Sequence, residues 1–249
     1  MAPTDASSAS PDYDALLAAG RALFPGVRIG RPGRSRGYRA TTTVLRVLRA
    51  RWKIDVEGAG NVAGGPAFLV GNHVSALDPL VVVAATPWRV SAFTKVEWFQ
   101  GRGAVFFRLM GQIPLRRGDR AVTDWAIDMA SAALATGSAI GIYPEGSRSP
   151  DPTKLHRIHG RVLLPLLAAN PDVPVHAVTT AYTHRRRRRT HVQVRVSPPL
   201  PLDVAALTDA EILTAVRDAL LALGGQTYVD ASSHAVKARR QAAPPPPPP

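Results

Sequence analysis

His73 and Asp78 lie five positions apart between an apolar run and a proline, in Ala67-Phe68-Leu69-Val70-Gly71-Asn72-His73-Val74-Ser75-Ala76-Leu77-Asp78-Pro79. On one continuous helix that spacing points two side chains about 140° apart, so these two can meet only across a loop. If they meet, the carboxylate fixes the imidazole tautomer and stabilises its protonated form, and the second ring nitrogen can take a proton from a hydroxyl. That is a general base without a protein nucleophile. The same residues fit a plainer reading, with Asp78 as the N-cap of the helix that Pro79 opens and His73 as a strand-end residue. A second group follows another apolar run: Tyr143-Pro144-Glu145-Gly146-Ser147-Arg148. Here the Arg148 fork can hold a phosphate through two parallel hydrogen bonds, while Glu145 accepts from a hydroxyl or orients Arg148 across the flexible Gly146. The plainer alternative is a turn with a surface ion pair. A third segment, Gly111-Gln112-Ile113-Pro114-Leu115-Arg116-Arg117, leaves an apolar stretch at two arginines, one of which can reach a phosphate; its composition is also that of an ordinary surface loop.

The elements that must position these groups read as α/β: a single mixed-sheet domain flanked by helices. Short apolar runs predict strands at 53–57, 67–70, 90–93, 138–143 and 173–182, the last paired with 191–196. Helical patterns fall near 80–85, at 121–136 with Gly137 as the stop, and at 161–169. A last helix opens on the capping-box spacing Thr208-Asp209-Ala210-Glu211 and stops at Gly224. In open α/β sheets ligands collect beyond the carboxyl ends of strands, which is where His73 and Glu145 fall. Residues 38–52 read as a basic amphipathic helix, with Val44, Leu45, Leu48 and Trp52 on one face and Arg39, Arg46 and Arg49 elsewhere. Such a helix packs on a core or lies on a membrane surface with its arginines at lipid phosphates. Residues 1–37 read as a flexible basic arm with one helical pattern around Leu16 to Leu23. The domain is expected over 38–228, and 229–249, ending in six prolines, as a disordered proline-rich tail.

Composition narrows the chemistry. The 249 residues contain no cysteine, which excludes disulfides, thiolate metal sites and thiol nucleophiles. A formal net charge of +13 asks for an acidic partner such as anionic lipid, nucleic acid or a phosphorylated small molecule. No window approaches the roughly 18 consecutive apolar residues of a spanning helix, and the first fourteen residues lack a signal-peptide pattern. A cytoplasmic location is expected.

Taken in order, Asn72 to Asp78, Gly111 to Arg117, Tyr143 to Arg148 and Val173-Pro174-Val175 resemble the motifs of the glycerolipid acyltransferase family that includes lysophosphatidic acid acyltransferases. The resemblance covers roughly residues 40–200. It implies His73 as catalytic base and Asp78 as its partner. It implies Arg117, Glu145, Gly146 and Arg148 as the acceptor-phosphate site, Pro174 in a fourth block, and Lys95 as a further phosphate contact. The implied reaction moves a fatty acyl group from acyl-CoA or acyl carrier protein, as co-substrate, to a lysophospholipid hydroxyl, with no cofactor, no metal and no acyl-enzyme. Three positions depart from the family pattern. Arg116 stands where an acidic residue often precedes the arginine, Ser147 replaces a usual threonine, and His176 stands where proline is common. Many members have N-terminal membrane helices, so here peripheral attachment to the cytoplasmic membrane face through 38–52 and nearby basic surface is expected.

Other patterns lose their context. Gly33-Arg34-Ser35-Arg36-Gly37 spells a nucleophile elbow with no strand before it. Gly58-Ala59-Gly60-Asn61-Val62-Ala63 approaches a dinucleotide fingerprint, but Gly64-Gly65-Pro66 forbids the helix that must receive the pyrophosphate. His156 and His159 lack a carboxylate to complete a metal site. The five arginines 185–189 at a hairpin tip, with only Tyr182 as an aromatic neighbour, favour lipid or cofactor phosphate over nucleic acid. Alternative functions are the same chemistry on glycerol 3-phosphate or another acceptor, and a non-catalytic module binding anionic lipid or nucleic acid.

Overall fold

The computed structural model describes residues 12–32, 36–48, 52–101, 103–183 and 190–242. Seven strands form one sheet in the order β1-β8-β7-β2-β5-β3-β4. They are β1 (Trp52–Glu57), β2 (Ala67–Gly71), β3 (Val90–Lys95), β4 (Ile113–Leu115), β5 (Ala139–Ile142), β7 (Val175–Thr183) and β8 (Thr190–Pro199). A separate parallel pair joins β6 (Lys154–His156) to β9 (Thr227–Val229). The sheet is mixed: β7 and β8 are antiparallel, whereas β2, β5, β3 and β4 all run parallel. Their four carboxyl ends therefore share one edge.

Every residue of β2 is buried, as expected for a central parallel strand covered on both faces. Its side chains alternate between two cores. Phe68 and Val70 join the larger cluster with Met129 of α5 (Arg120–Ala135), Leu163 of α6 (Gly160–Ala169) and Leu220 of α7 (Asp209–Gly224). Ala67 and Leu69 join the smaller one with Val81 of α3 (Asp78–Ala85) and Leu45 of α2 (Arg36–Leu48). Each large apolar side chain buried this way contributes about 1.5–3 kcal/mol. Local signals fix several helix ends. Asp119 accepts from Val122 N to start α5, Gly137 takes a positive φ just beyond it, and α7 opens on a complete Thr208/Glu211 capping box.

One expectation, the bounds of the 38–52 helix, is corrected. The 38–52 helix spans Arg36–Leu48, and Trp52 instead begins β1. Its buried face is Tyr38, Thr41, Thr42 and Leu45, leaving Val44 and Val47 exposed. The Tyr38 hydroxyl sets that rotation, donating to Trp88 O (3.3 Å) and accepting from Val90 N (2.8 Å) at the start of β3. The arm at 1–37 contains a packed helix, α1 (Tyr13–Leu23), which lies on α5, with Leu16 O accepting from Trp125 Nε1 at 2.8 Å and Phe24 buried behind it. The 229–249 tail contains α8 (Ser233–Ala242), whose first residue is fully buried. The sequence pattern also lacked β4, β6, β9 and the short helix α4 (Ala104–Leu109). Arginines 185–189, the centre of Gly33–Gly37 and the terminal prolines lie outside the described residues.

Candidate active site

The loop after β2 turns sharply and folds back on Asp78, the first residue of α3. Leu77 occupies the N-cap position and makes no side-chain cap, so Asp78 is not the cap that the sequence suggested. Its carboxylate instead turns into the loop. Oδ2 accepts from His73 Nδ1 (2.9 Å), Val74 N (2.8 Å) and Ser75 N (2.8 Å). Oδ1 accepts from the hydroxyls of Thr180 (2.9 Å) and Tyr182 (2.8 Å) on β7. Asp78 is fully buried, and a buried carboxylate is tolerated only when its lone pairs are satisfied, as they are here. The His73 side chain is 20% exposed. Because Nδ1 gives its proton to Asp78, Nε2 carries the acceptor lone pair. The ring rests against Tyr143, centroids 4.7 Å apart.

Thr180 and Tyr182 are the contacts that the sequence reading missed. They lie 102 and 104 residues from Asp78, and only their alternate spacing along β7 marks them as sharing a face. Burial drives the Tyr182 hydroxyl far above its usual range, reinforced by the Asp78 charge and the hydrogen bond to it. It therefore stays protonated and can only donate to the carboxylate.

A second loop, after β5, is stitched to the first. Glu145 Oε1 accepts from His73 N (2.8 Å), and Oε2 accepts from His156 N (3.0 Å) and Ser233 Oγ (3.3 Å). Ser149 N donates to His73 O (2.5 Å). The backbone of His73 is thus gripped on both sides. Glu145 is 2% exposed and makes no ion pair with Arg148 among the described residues, so it faces the two loops from behind rather than orienting that arginine. Burial pushes its carboxyl above the usual range, and the amides of His73 and His156 pull back against that rise. Gly146 has φ +66, where a side chain is strained, and its carbonyl accepts from Arg117 Nη2.

Lys95 ends β3, opposite Leu115 of β4, and Arg117 follows two residues later. His73, Arg148, Lys95 and Arg117 thus emerge from the carboxyl ends of β2, β5, β3 and β4. Below them a small recess lies between α3 and the sheet, lined by Leu69, Pro79, Val82, Val83 and Tyr143 together with the polar Asn72 and Gln112. No group of three or more His, Asp or Glu arranged to hold a metal occurs among the described residues. His156 and His159 are separated by the end of β6 and the start of α6.

A family model described as Acyltransferase matches residues 53–179, which include every residue just placed at the site edge. The chain belongs to this acyltransferase family. The 1-acyl-sn-glycerol-3-phosphate acyltransferase alpha of Homo sapiens is 31% identical over 174 residues, 63% of this chain and 60% of that protein. Its Mus musculus counterpart is 30% identical over 188 residues, 67% of this chain and 65% of that protein. The chain therefore spans about 60% of the length of the human relative. Among solved structures, the crystal structure of the 1-acyl-sn-glycerophosphate (LPA) acyltransferase, PlsC, from Thermotoga maritima superposes with a TM-score of 0.57 at 19% identity. That match covers 94% of this chain and 90% of that one, and shows a shared mixed α/β fold.

Within this acyltransferase frame two of the departures have structural partners. Arg116 pairs with Asp119 (3.2 Å) and lies over the Phe24 ring, 5.1 Å from its centroid. His176 is buried in β7 with Nδ1 3.0 Å from Ser197 O. Both tie elements together away from His73.

Proposed function

We propose that the chain transfers a fatty acyl group from a thioester donor, acyl-CoA or acyl carrier protein, to a hydroxyl of lysophosphatidate or a similar lysophospholipid. The observation that carries this reading is the His73–Asp78 pair, with Nε2 as acceptor, set on the same sheet edge as Arg117 and Arg148. His73 Nε2 takes the acceptor hydroxyl proton as the oxygen attacks the thioester carbonyl. Asp78 stabilises the imidazolium that forms. The carbon–sulfur bond then breaks, and the imidazolium returns its proton to the leaving thiolate. Lys95, Arg117 and Arg148 hold the acceptor phosphate, while Glu145 and Gly146 shape the loop that carries Arg148.

No helix among the described residues is long and apolar enough to cross a membrane. We read the attachment as peripheral, at the cytoplasmic face, from the exposed apolar residues and the charge. Val44 and Val47 on α2, Trp98 after β3 and Val105 on α4 are exposed apolar residues on a strongly basic protein, a combination suited to an anionic bilayer surface.

The test is thiol release from acyl-CoA with lysophosphatidate in vesicles. Wild type should show acceptor-dependent release, and His73→Ala should lower kcat by about 10²–10⁴-fold while melting like wild type. Full activity in a folded His73→Ala protein would sink the mechanism. Turnover with glycerol 3-phosphate instead would shift the acceptor, and vesicle binding without turnover from any donor would favour the non-catalytic module.

A further inference from the structure

The C-terminal helix α8 lies outside the matched family region, yet it enters the site. Its first residue, Ser233, donates to Glu145 Oε2, and the preceding segment is fastened by Ala231 O accepting from Arg157 N (3.1 Å) and by β9 pairing with β6. Lys237 is four residues on, so it shares the helix face of Ser233 one turn further along. Its side chain is half-buried rather than extended into solvent. Burial holds its ammonium below the ordinary lysine range, and the positive fields of Arg148, Arg117 and Lys95 add to that depression while Glu145 opposes it. Ser233 on Glu145 thus sets the start of α8 against the loop that carries Arg148, where Arg117 donates to the Gly146 carbonyl, and Lys237 follows one turn along on the same helix face. Among the described residues none of these four cations is ion-paired with a carboxylate. Glu145 already accepts from two backbone amides and a hydroxyl. Like charges gathered without a counter-ion repel, and an arriving anion removes that repulsion.

We propose that Lys237 is the fourth cation of the pocket formed by Lys95, Arg117 and Arg148, so that α8 completes a site selective for a phosphomonoester over a phosphodiester headgroup. The monoester carries about two negative charges near neutral pH, the diester one, and four cations reward the second charge. This rests on the acyltransferase reading for its turnover test, but not for its binding test.

The experiment compares full-length wild type, Lys237→Met and Lys237→Arg. Thiol release from acyl-CoA is measured with lysophosphatidate and with lysophosphatidylglycerol, and thermal melting with and without inorganic phosphate. Lys237→Met should raise KM for lysophosphatidate about tenfold, the effect of losing one charge-assisted contact. Its kcat should fall far less, its KM for lysophosphatidylglycerol should change little, and Lys237→Arg should restore most of the loss. Phosphate should raise the melting temperature of wild type and of Lys237→Arg more than that of Lys237→Met. Unchanged KM and unchanged phosphate stabilisation in a folded Lys237→Met protein overturn the proposal. So does an equal rise in KM for both acceptors, or a loss confined to kcat, which would mark a structural role. If wild type shows no turnover yet keeps a Lys237-dependent phosphate shift, the anion pocket stands and the acyltransferase reading falls. If wild type shows neither, both fall.

Discussion

The two halves of the candidate site are built on opposite principles. Around His73 the framework is dense and leaves Nε2 free among the described residues: the Asp78 carboxylate accepts from a ring nitrogen, two backbone amides and two hydroxyls, and the His73 backbone is held by Glu145 and Ser149. Around Arg117 and Arg148 there is almost no such framework. Both arginines are exposed, and Arg117 has the Gly146 carbonyl as its hydrogen-bond partner among the described residues. A proton must move between atoms within about 0.5 Å of a set geometry, which only packed, directional contacts can guarantee. A mobile headgroup needs a field, and long cationic side chains supply it while adapting to its position. Rigidity is therefore concentrated around His73 and compliance around Arg117 and Arg148.

The largest test of this contrast is Asp78→Asn. The amide keeps the shape, with its oxygen toward Val74 N and Ser75 N and its nitrogen toward two hydroxyls that can rotate to accept. The charge that stabilises the imidazolium is lost. Turnover should fall by about a hundredfold or more, with the lysophosphatidate KM little altered; thiol-release kinetics at saturating donor read both. A loss expressed mainly in KM would blur the two halves.

Arg148→Met should show the opposite split, raising the lysophosphatidate KM about tenfold with a smaller change in kcat. Raising the salt from 0.1 M to 1 M shortens the screening length from about 10 Å to about 3 Å. Wild-type KM should rise with salt while kcat holds, and the variant's KM should depend on salt less steeply.

The smallest effect concerns Glu145, which joins the halves. Burial raises its folded-state carboxyl pKa above the unfolded value, so between the two the folded protein holds the proton more tightly. Its contribution to stability is full below the unfolded value, about 4.3, and is lost as pH rises through the folded one. Urea unfolding at a series of pH values should show wild type losing stability relative to Glu145→Gln across that window, with a constant difference above it. A difference flat throughout would mean that Glu145 is not desolvated as the structure indicates.

Much of this was legible in the chain. Pro79 marks the start of α3, Thr208 and Glu211 write out a capping box, and the apolar runs at 67–70 and 138–143 read as strands, because these signals act within a few residues of themselves. Other elements carried no such mark. The composition from Val229 onward reads as tail, and α8 is held by Ser233 on Glu145 and by β9 on β6, contacts 73 and more residues apart in sequence. Val44 and Leu45 fit one apolar face of a helix, yet Val44 is exposed while Tyr38, whose hydroxyl accepts from Val90 N, is buried.

Local chemistry, then, determined which residues stand at the ends of strands and which of them can carry a proton or bind a phosphate. Sequence spacing also fixed that His73 and Asp78 could meet only through a loop. The tertiary structure alone decided that they do meet, that Thr180 and Tyr182 close the shell around the carboxylate, and that Ser233 at the start of α8 reaches Glu145. Those pairings depend on the strand order β7-β2-β5-β3-β4. That order is set by how whole faces bury against one another, a property of the assembled sheet rather than of any segment within it.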